Sequence, residues 1–234
     1  EEIITLDYGS GGTKTSGLIE ELLLPAFDNP ALNVLGDGAV LDGSEKLVFS
    51  TDSFVVSPWR FPGGNIGKLC VCGTVNDIGI PRYLSLSFVL EEGFLISDLK
   101  EIITSIAQEA KAAGIIIATG DTKVVERGKG DGIYINTSGI GFLRAPGLGK
   151  DQIRPGDAVI LSGSAGCHGA SVMMARAGLS QEVLSSDCRI LTDLAGAALA
   201  SGQVRILRDP TRGGVATTLN EFVEDSDLTI ELDE

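Results

Sequence analysis

The sequence predicts an α/β protein, because short apolar runs rich in β-branched residues alternate with amphipathic helical patterns, and glycine-flanked turns carrying aspartates mark the junctions. With 234 residues, 43% hydrophobic side chains and 31 glycines, the chain can bury one or two cores and is too apolar to stay disordered. Between residues 144 and 155 the apolar pattern is interrupted by Pro146, Gly147, Gly149, Lys150 and Asp151. That break predicts two units, residues 1–145 and an α+β unit over 150–234.

Taken in order, Tyr8-Gly9-Ser10-Gly11-Gly12-Thr13 precedes a helical pattern over residues 15–27, with Leu18, Ile19, Leu22 and Leu23 on one face. Closely spaced glycines let backbone N–H groups approach an anion. A flexible lead-in accounts for the composition nearly as well, and the G-x-x-x-x-G-K-[ST] spacing of a Walker loop is missing. Residues 35–41 and 47–56 read as strands that carry Asp37 and Asp52. A carboxylate inside an apolar strand is costly unless paired, which draws attention to Asp52, although a solvent-facing position satisfies it without function. After Phe61-Pro62-Gly63-Gly64 a helix places Ile66, Leu69, Cys70 and Gly73 on one face and ends in Asn76-Asp77.

Residues 82–90 read as a strand, and residues 99–113 as an amphipathic helix with Ser97 as N-cap, Ile102, Ile103 and Ile106 inward, and Gly114 as its stop. The run 114–118 predicts a buried strand, with Asp121 and Lys123 at or just past its carboxyl end, where ligands collect in α/β proteins. Residues 131–142 give a further alternating strand. In the second unit, 158–163 and 204–207 read as strands, and 170–177, 190–200 and 215–223 as helices. Arg208-Asp209-Pro210-Thr211-Arg212-Gly213-Gly214 leads into the last helix, so its glycines and the helix N-terminus suit an anion, or simply a tight turn.

The net charge of −14, without a lysine or arginine cluster, argues against nucleic acid or an anionic membrane as partner. No apolar run approaches the ~20 residues that span a bilayer. An acidic chain that handles nucleotides needs bound cations. Cys70 and Cys72 form a C-x-C while Cys167 and Cys188 stand apart, and one histidine, His168, cannot complete a usual zinc site. Reduced thiols in a cytoplasmic protein are expected. Asp121 and Lys123, two residues apart, can serve a metal ion and a phosphate together, since hard cations take oxygen ligands and phosphate takes a point charge.

Several of these stretches occur together in a known order. Ser10-Gly11-Gly12, Gly36-Asp37-Gly38-Ala39-Val40, Ser50-Thr51-Asp52-Ser53-Phe54, Phe61-Pro62-Gly63-Gly64, Gly73-Thr74-Val75-Asn76-Asp77, Gly120-Asp121-Thr122-Lys123-Val124-Val125 and Arg208-Asp209-Pro210-Thr211-Arg212-Gly213-Gly214 resemble the hydrogenase maturation factor E family. That family belongs to the ATP-dependent superfamily of aminoimidazole ribonucleotide synthetase and selenophosphate synthetase. The resemblance runs from Ile4 to nearly the end of the chain.

The resemblance implies a PurM-like fold whose N-terminal four-stranded sheet pairs into a barrel across a homodimer. It implies an ATP-dependent carbamoyl dehydratase that converts an S-carbamoyl group on a C-terminal cysteine into a thiocyanate. Its expected partners are a carbamoyltransferase and the iron-carrying maturation scaffold. On this sequence, Asp37, Asp52, Asp77 and Asp121 correspond to the carboxylates of Mg2+ and ATP, with Asn76 and Thr122 beside them. Lys123 and Asp121 are the expected catalytic pair. Ser10, Gly11 and Gly12 correspond to an N-terminal loop over ATP, and Asp209, Thr211, Arg212 and Gly213 to the far wall of the cleft. Three departures stand out: few residues separate Asn76-Asp77-Ile78 from Pro81-Arg82-Tyr83-Leu84-Ser85, Cys167 stands where the family usually has aspartate, and the second α+β domain is expected to be incomplete, since the family's Pro-Arg-x-Cys tail is not in this sequence. The competing readings are a small-molecule kinase or synthetase of the same superfamily, or a nucleotide-binding scaffold for maturation partners. Against selenophosphate synthesis, the N-terminal glycine-rich segment holds no cysteine.

Overall fold

Strand β4, Pro81–Glu91, is the spine of the molecule: its side chains alternate between a buried face, with Leu84, Leu86, Phe88 and Leu90, and a half-exposed one, with Ser85, Ser87 and Val89. This period of two is what a sheet covered by helices on a single face requires. The computed structural model describes residues 2–10, 12–35, 38–39, 41–43, 45–143, 147–179, 184–211, 213–224 and 226–232. A four-stranded mixed sheet runs in the order β1-β6-β4-β5, with β1 Leu47–Phe54, β5 Ile116–Val125 and β6 Ile133–Phe142. β4 pairs with β6 antiparallel and with β5 in parallel, and β6 pairs antiparallel with β1. The two-residue strands β2, Arg60–Phe61, and β3, Gly64–Asn65, form a small ribbon before the first core helix.

Two helices cover one face. α3, Ile66–Ile78, is capped by the Asn65 side chain accepting from the Lys68 N–H at 3.0 Å. α4, Ile96–Ala112, joins β4 to its parallel neighbour β5. Ile66, Val71 and Val75 of α3 and Leu99, Ile102, Ile103 and Ile106 of α4 meet the buried side chains of β4 and β6 in one core. α4 starts earlier than its sequence pattern: Leu95 is its N-cap and no side chain caps it, so Ser97 lies inside the helix. Its stop is as read, with Gly114 at φ 65° and its N–H bonded to Lys111 O at 3.1 Å.

The N-terminal helix is three pieces, α1 Thr13–Leu18, a π-helical turn Ile19–Leu23 and α2 Leu24–Phe27. Pro25 cannot donate an i→i−4 bond, and the widened turn precedes it. Of the strand expected over 35–41, residues 36, 37 and 40 lie outside the described residues and 35, 38, 39 and 41 are not in strand conformation. Leu35 has φ 51°, a left-handed conformation that no strand allows, and none of the described residues there joins the sheet.

The second half supplies α5 Cys167–Arg176, α6 Thr192–Ala200 and α7 Gly214–Val223, close to the three predicted helices. The strands expected at 158–163 and 204–207 do not form. A strand needs a partner ladder for its backbone, and none lies beside them among the described residues. Ile160 is accordingly 88% exposed.

Candidate functional site

The carboxylates singled out by the sequence fall into two groups on opposite faces of the sheet. Asp52 lies in register with Thr137 of β6, and Thr137 with Leu86 of β4, so Asp52 shares the helix-covered face. Ser50 and Asp52, two apart on β1, therefore both look towards α3. On α3, Gly73 and Asp77 are one turn apart and meet them. Ser50 Oγ donates to Asp77 Oδ2 at 2.8 Å. A Cβ on Gly73 would stand 2.9 Å from the Phe54 ring and 3.6 Å from Asp52 Oδ2, so this turn of the helix has to be glycine for β1 to approach.

Asp209 joins this group from the second half of the chain. Burial, together with the negative charges of Asp77 and Asp52, pushes its carboxyl up to about 6. Arg208 offsets only part of this rise. Among the described residues no three His, Cys, Asp or Glu side chains stand close enough to hold a metal ion by themselves. Magnesium, which keeps several waters and is usually held by one or two carboxylates plus phosphate oxygens, asks for no more than this.

Asp121 and Lys123 lie elsewhere. They sit inside β5, an edge strand, rather than past its end, because the strand continues through Gly120 to Val125. Asp121 is in register with Ser87, Ser87 with Asn136 and Asn136 with Ser53, which is the face without helices. Lys123 Nζ donates to both oxygens of Asp121, at 2.6 and 2.7 Å, and holds that carboxyl below the usual range. A Cβ on Gly120 would come within 2.4 Å of Leu86 O, so the close pairing of β5 with β4 demands glycine.

The middle of the open face carries a polar network: Asn136 Nδ2 donates to Ser53 Oγ at 3.0 Å, and Ser138 Oγ to Thr51 Oγ1 at 2.8 Å. The N-terminal segment adjoins the same edge. The turn Leu6–Gly9 packs on β5, with Gly9 against the backbone of Val124, the residue after Lys123. Ser10 follows with its Oγ donating to Asp7 O at 3.0 Å, and Gly12 is the N-cap of α1.

Asn76 has a different task from the one its neighbours suggested. Its Nδ2 donates to Arg189 O at 3.0 Å and its Oδ1 accepts from Leu191 N–H at 2.9 Å, so its amide is spent on clamping residues 189–191 to α3. Thr211 and Gly213 precede α7, whose N-cap is Gly213 at φ 75°, and Gly214 N–H reaches back to Thr211 O at 3.1 Å. Gly11, Asp37 and Arg212 lie outside the described residues. Ser50 was not foreseen, although the period of two that puts it beside Asp52 was readable in Ser50-Thr51-Asp52.

Residues 35–143 match the family model described as AIR synthase related protein, N-terminal domain, and residues 154–234 match the corresponding C-terminal domain. Carbamoyl dehydratase HypE of Cupriavidus necator is 47% identical over 243 residues, covering 99% of this chain and 68% of its own length. The protein of the same name from Escherichia coli is 46% identical over 244 residues, covering 99% and 72%. The chain belongs to the HypE family. Among solved structures, a hydrogenase maturation protein HypE in complex with ATP superposes with a TM-score of 0.89 at 48% identity, covering 93% of this chain and 67% of that one. A HypE–HypF complex matches with a TM-score of 0.73 at 46% identity, covering 89% and 70%.

Proposed function

We propose that this chain carries out the ATP-dependent step of the family, dehydration of an S-carbamoyl cysteine to a thiocyanate for the cyanide ligand of nickel-iron hydrogenase. The observation that supports it most is the convergence of Asp52, Asp77 and Asp209, where burial and then the charges of Asp77 and Asp52 raise Asp209, a strain that a divalent cation on a polyphosphate would relieve. The reaction balances as R–S–C(=O)–NH2 plus ATP giving R–S–C≡N, ADP, phosphate and a proton. An amide oxygen leaves poorly, so the γ-phosphoryl group goes onto it and departs with it, while the nitrogen gives up both protons.

Positioning and charge neutralisation carry phosphoryl transfer of this kind. Asp52 and Asp77 would hold a magnesium ion, which would supply charge neutralisation to the phosphates; Asp37 belongs to the same carboxylate set read from the sequence. Asp209, Thr211, Arg212 and Gly213 form the wall across the cleft. On the open face, Lys123 neutralises phosphate or carbamoyl oxygen, Asp121 orients Lys123, and Ser10 and Gly12 belong to the segment that adjoins the same edge, whereas Thr122, in register with Phe88, lies on the covered face.

Neither group is complete alone, and we assign the missing half of each site to a second copy of the chain, the two copies paired through their open sheet faces. That arrangement is the homodimer we assign to this protein, with residues 1–145 as its ATP-binding and dimerisation unit and residues 150–234 as the second unit. Leu47 and Phe49, 54% and 65% exposed on the open face of β1, are the apolar margin such a pairing would bury. The carbamoyltransferase that loads the cysteine and the iron-carrying scaffold that receives the cyanide are the partners, and the cytoplasm is the compartment. Phosphate release tests the reading: with ATP and Mg2+, a peptide ending in S-carbamoylcysteine should accelerate it at least tenfold. Equal rates with and without the peptide would instead make the protein a nucleotide-binding scaffold.

A further inference from the structure

Helix α3 carries a second chemical feature that the dehydration does not use. Residues 186–191 lie along it, fixed at one end by Ser186 N–H on Pro62 O at 2.8 Å and at the other by the two Asn76 hydrogen bonds to Arg189 and Leu191. Cys188 sits between these anchors, its N–H held by Ser186 Oγ at 3.0 Å. Cys72, one helical turn before Asn76, is buried on the stretch of α3 that lies between these anchors, and the Cys188 thiol lies next to it. Cys70 is also buried, but its thiol donates to Gly67 O at 3.2 Å within the helix.

We propose that Cys72 and Cys188 form a redox-active dithiol, a modification site that a hydroperoxide oxidises to a disulfide joining residues 186–191 to α3. The chemistry suits each partner. Cys188 is half-buried and so reachable, and the neighbouring Cys72 thiol, with Lys68 nearby, holds its thiol below the ordinary value. Cys72 is held protonated by its contact with Cys188 and by burial. The Cys188 thiolate attacks the peroxide O–O bond, giving a sulfenic acid and hydroxide. The Cys72 sulfur then displaces the sulfenic oxygen, which leaves as water with the Cys72 proton. Two thiols and one hydrogen peroxide give one disulfide and two waters. The bond would close a loop spanning both halves of the chain, one turn of helix from Asp77, and would restrain the unfolded chain more than the folded one.

The full chain, treated with a few equivalents of hydrogen peroxide, alkylated and digested without reductant, tests this by peptide mass. The expected result is a Cys72–Cys188 linked peptide two hydrogens lighter than its reduced halves, loss of two of the four free thiols, and recovery of both with dithiothreitol. In Cys188→Ser the linked peptide should vanish and Cys72 stay reduced. Should that variant fold poorly, the wild-type peptide map decides alone. The proposal is overturned if oxidised Cys188 is found as a sulfinate, or joined to Cys167 or to another chain, with Cys72 still a thiol. It is overturned equally if Cys72 and Cys188 both stay reduced while Cys167 oxidises.

Discussion

At the scale of single residues, the most telling group is Asp209. Its carboxyl, raised to about 6 by burial and by Asp77 and Asp52, binds a proton more tightly in the folded chain than in the unfolded one. For a raised acid the sign is fixed: between about pH 4 and 6 the native state holds more protons, so stability falls as pH rises and the cost is fully present above 6. Removing the charge should recover it. Asp209→Asn, with chelator present, is expected to stabilise the protein at pH 7.5 by about 1 kcal/mol once solvent screening is allowed for, and to change little near pH 4. Urea unfolding at both pH values checks this, and an equal effect at the two would contradict it.

At the scale of elements, α3 is the hinge of the account. One of its faces packs into the core through Ile66, Val71 and Val75, its Gly73 and Asp77 meet β1, and its Asn76 holds the second half. Asn76→Ala leaves Leu191 N–H and Arg189 C=O without these bonds and should cost about 1–2 kcal/mol in urea unfolding. Amide exchange at Leu191 should speed at least tenfold while Val71 in the core is unchanged. Unaltered exchange at Leu191 would show that the clamp holds nothing.

Much of this was legible from local pattern. The period of 3.6 in α4 and of two in β4 and β6 follows from one covered face, and Gly114 ends its helix because its φ is positive. What pattern could not supply was pairing. The apolar runs at 158–163 and 204–207 have strand-like content, but a strand exists only with a neighbour, which is not a local property. The aspartates show the same limit. Each was marked by its motif, yet which face each occupies depends on register, and one step along β5 or β1 reverses it. Asn76 stood in a motif with Asp77, but its contacts lie 113 and 115 residues away in sequence.

At the scale of the whole molecule, Asp77 lies on the opposite face of the sheet from Asp121 and Lys123, and the proposed dimer is tested by whether two chains can complete one site between them. Asp77→Ala and Asp121→Ala should each lower ATP turnover at least a hundredfold. Mixing the two inactive variants, with exchange of subunits, should recover up to about a quarter of wild-type activity, since half the subunits enter mixed dimers and each such dimer holds one intact site. No recovery from a mixture shown by native mass spectrometry to contain mixed dimers would place both residues in the site of a single chain.

The acidic character of the chain, with net charge −14, fits a protein that meets polyphosphate only through cations. In the dehydration the phosphate formed takes its extra oxygen from the carbamoyl group. A peptide ending in S-carbamoylcysteine, carrying heavy oxygen in its carbonyl, is incubated with this protein, ATP and Mg2+, and both products are weighed. The expected outcome is a peptide lighter by one labelled water and the label in inorganic phosphate. Label left in the peptide or released into solvent, with phosphate unlabelled, would contradict it.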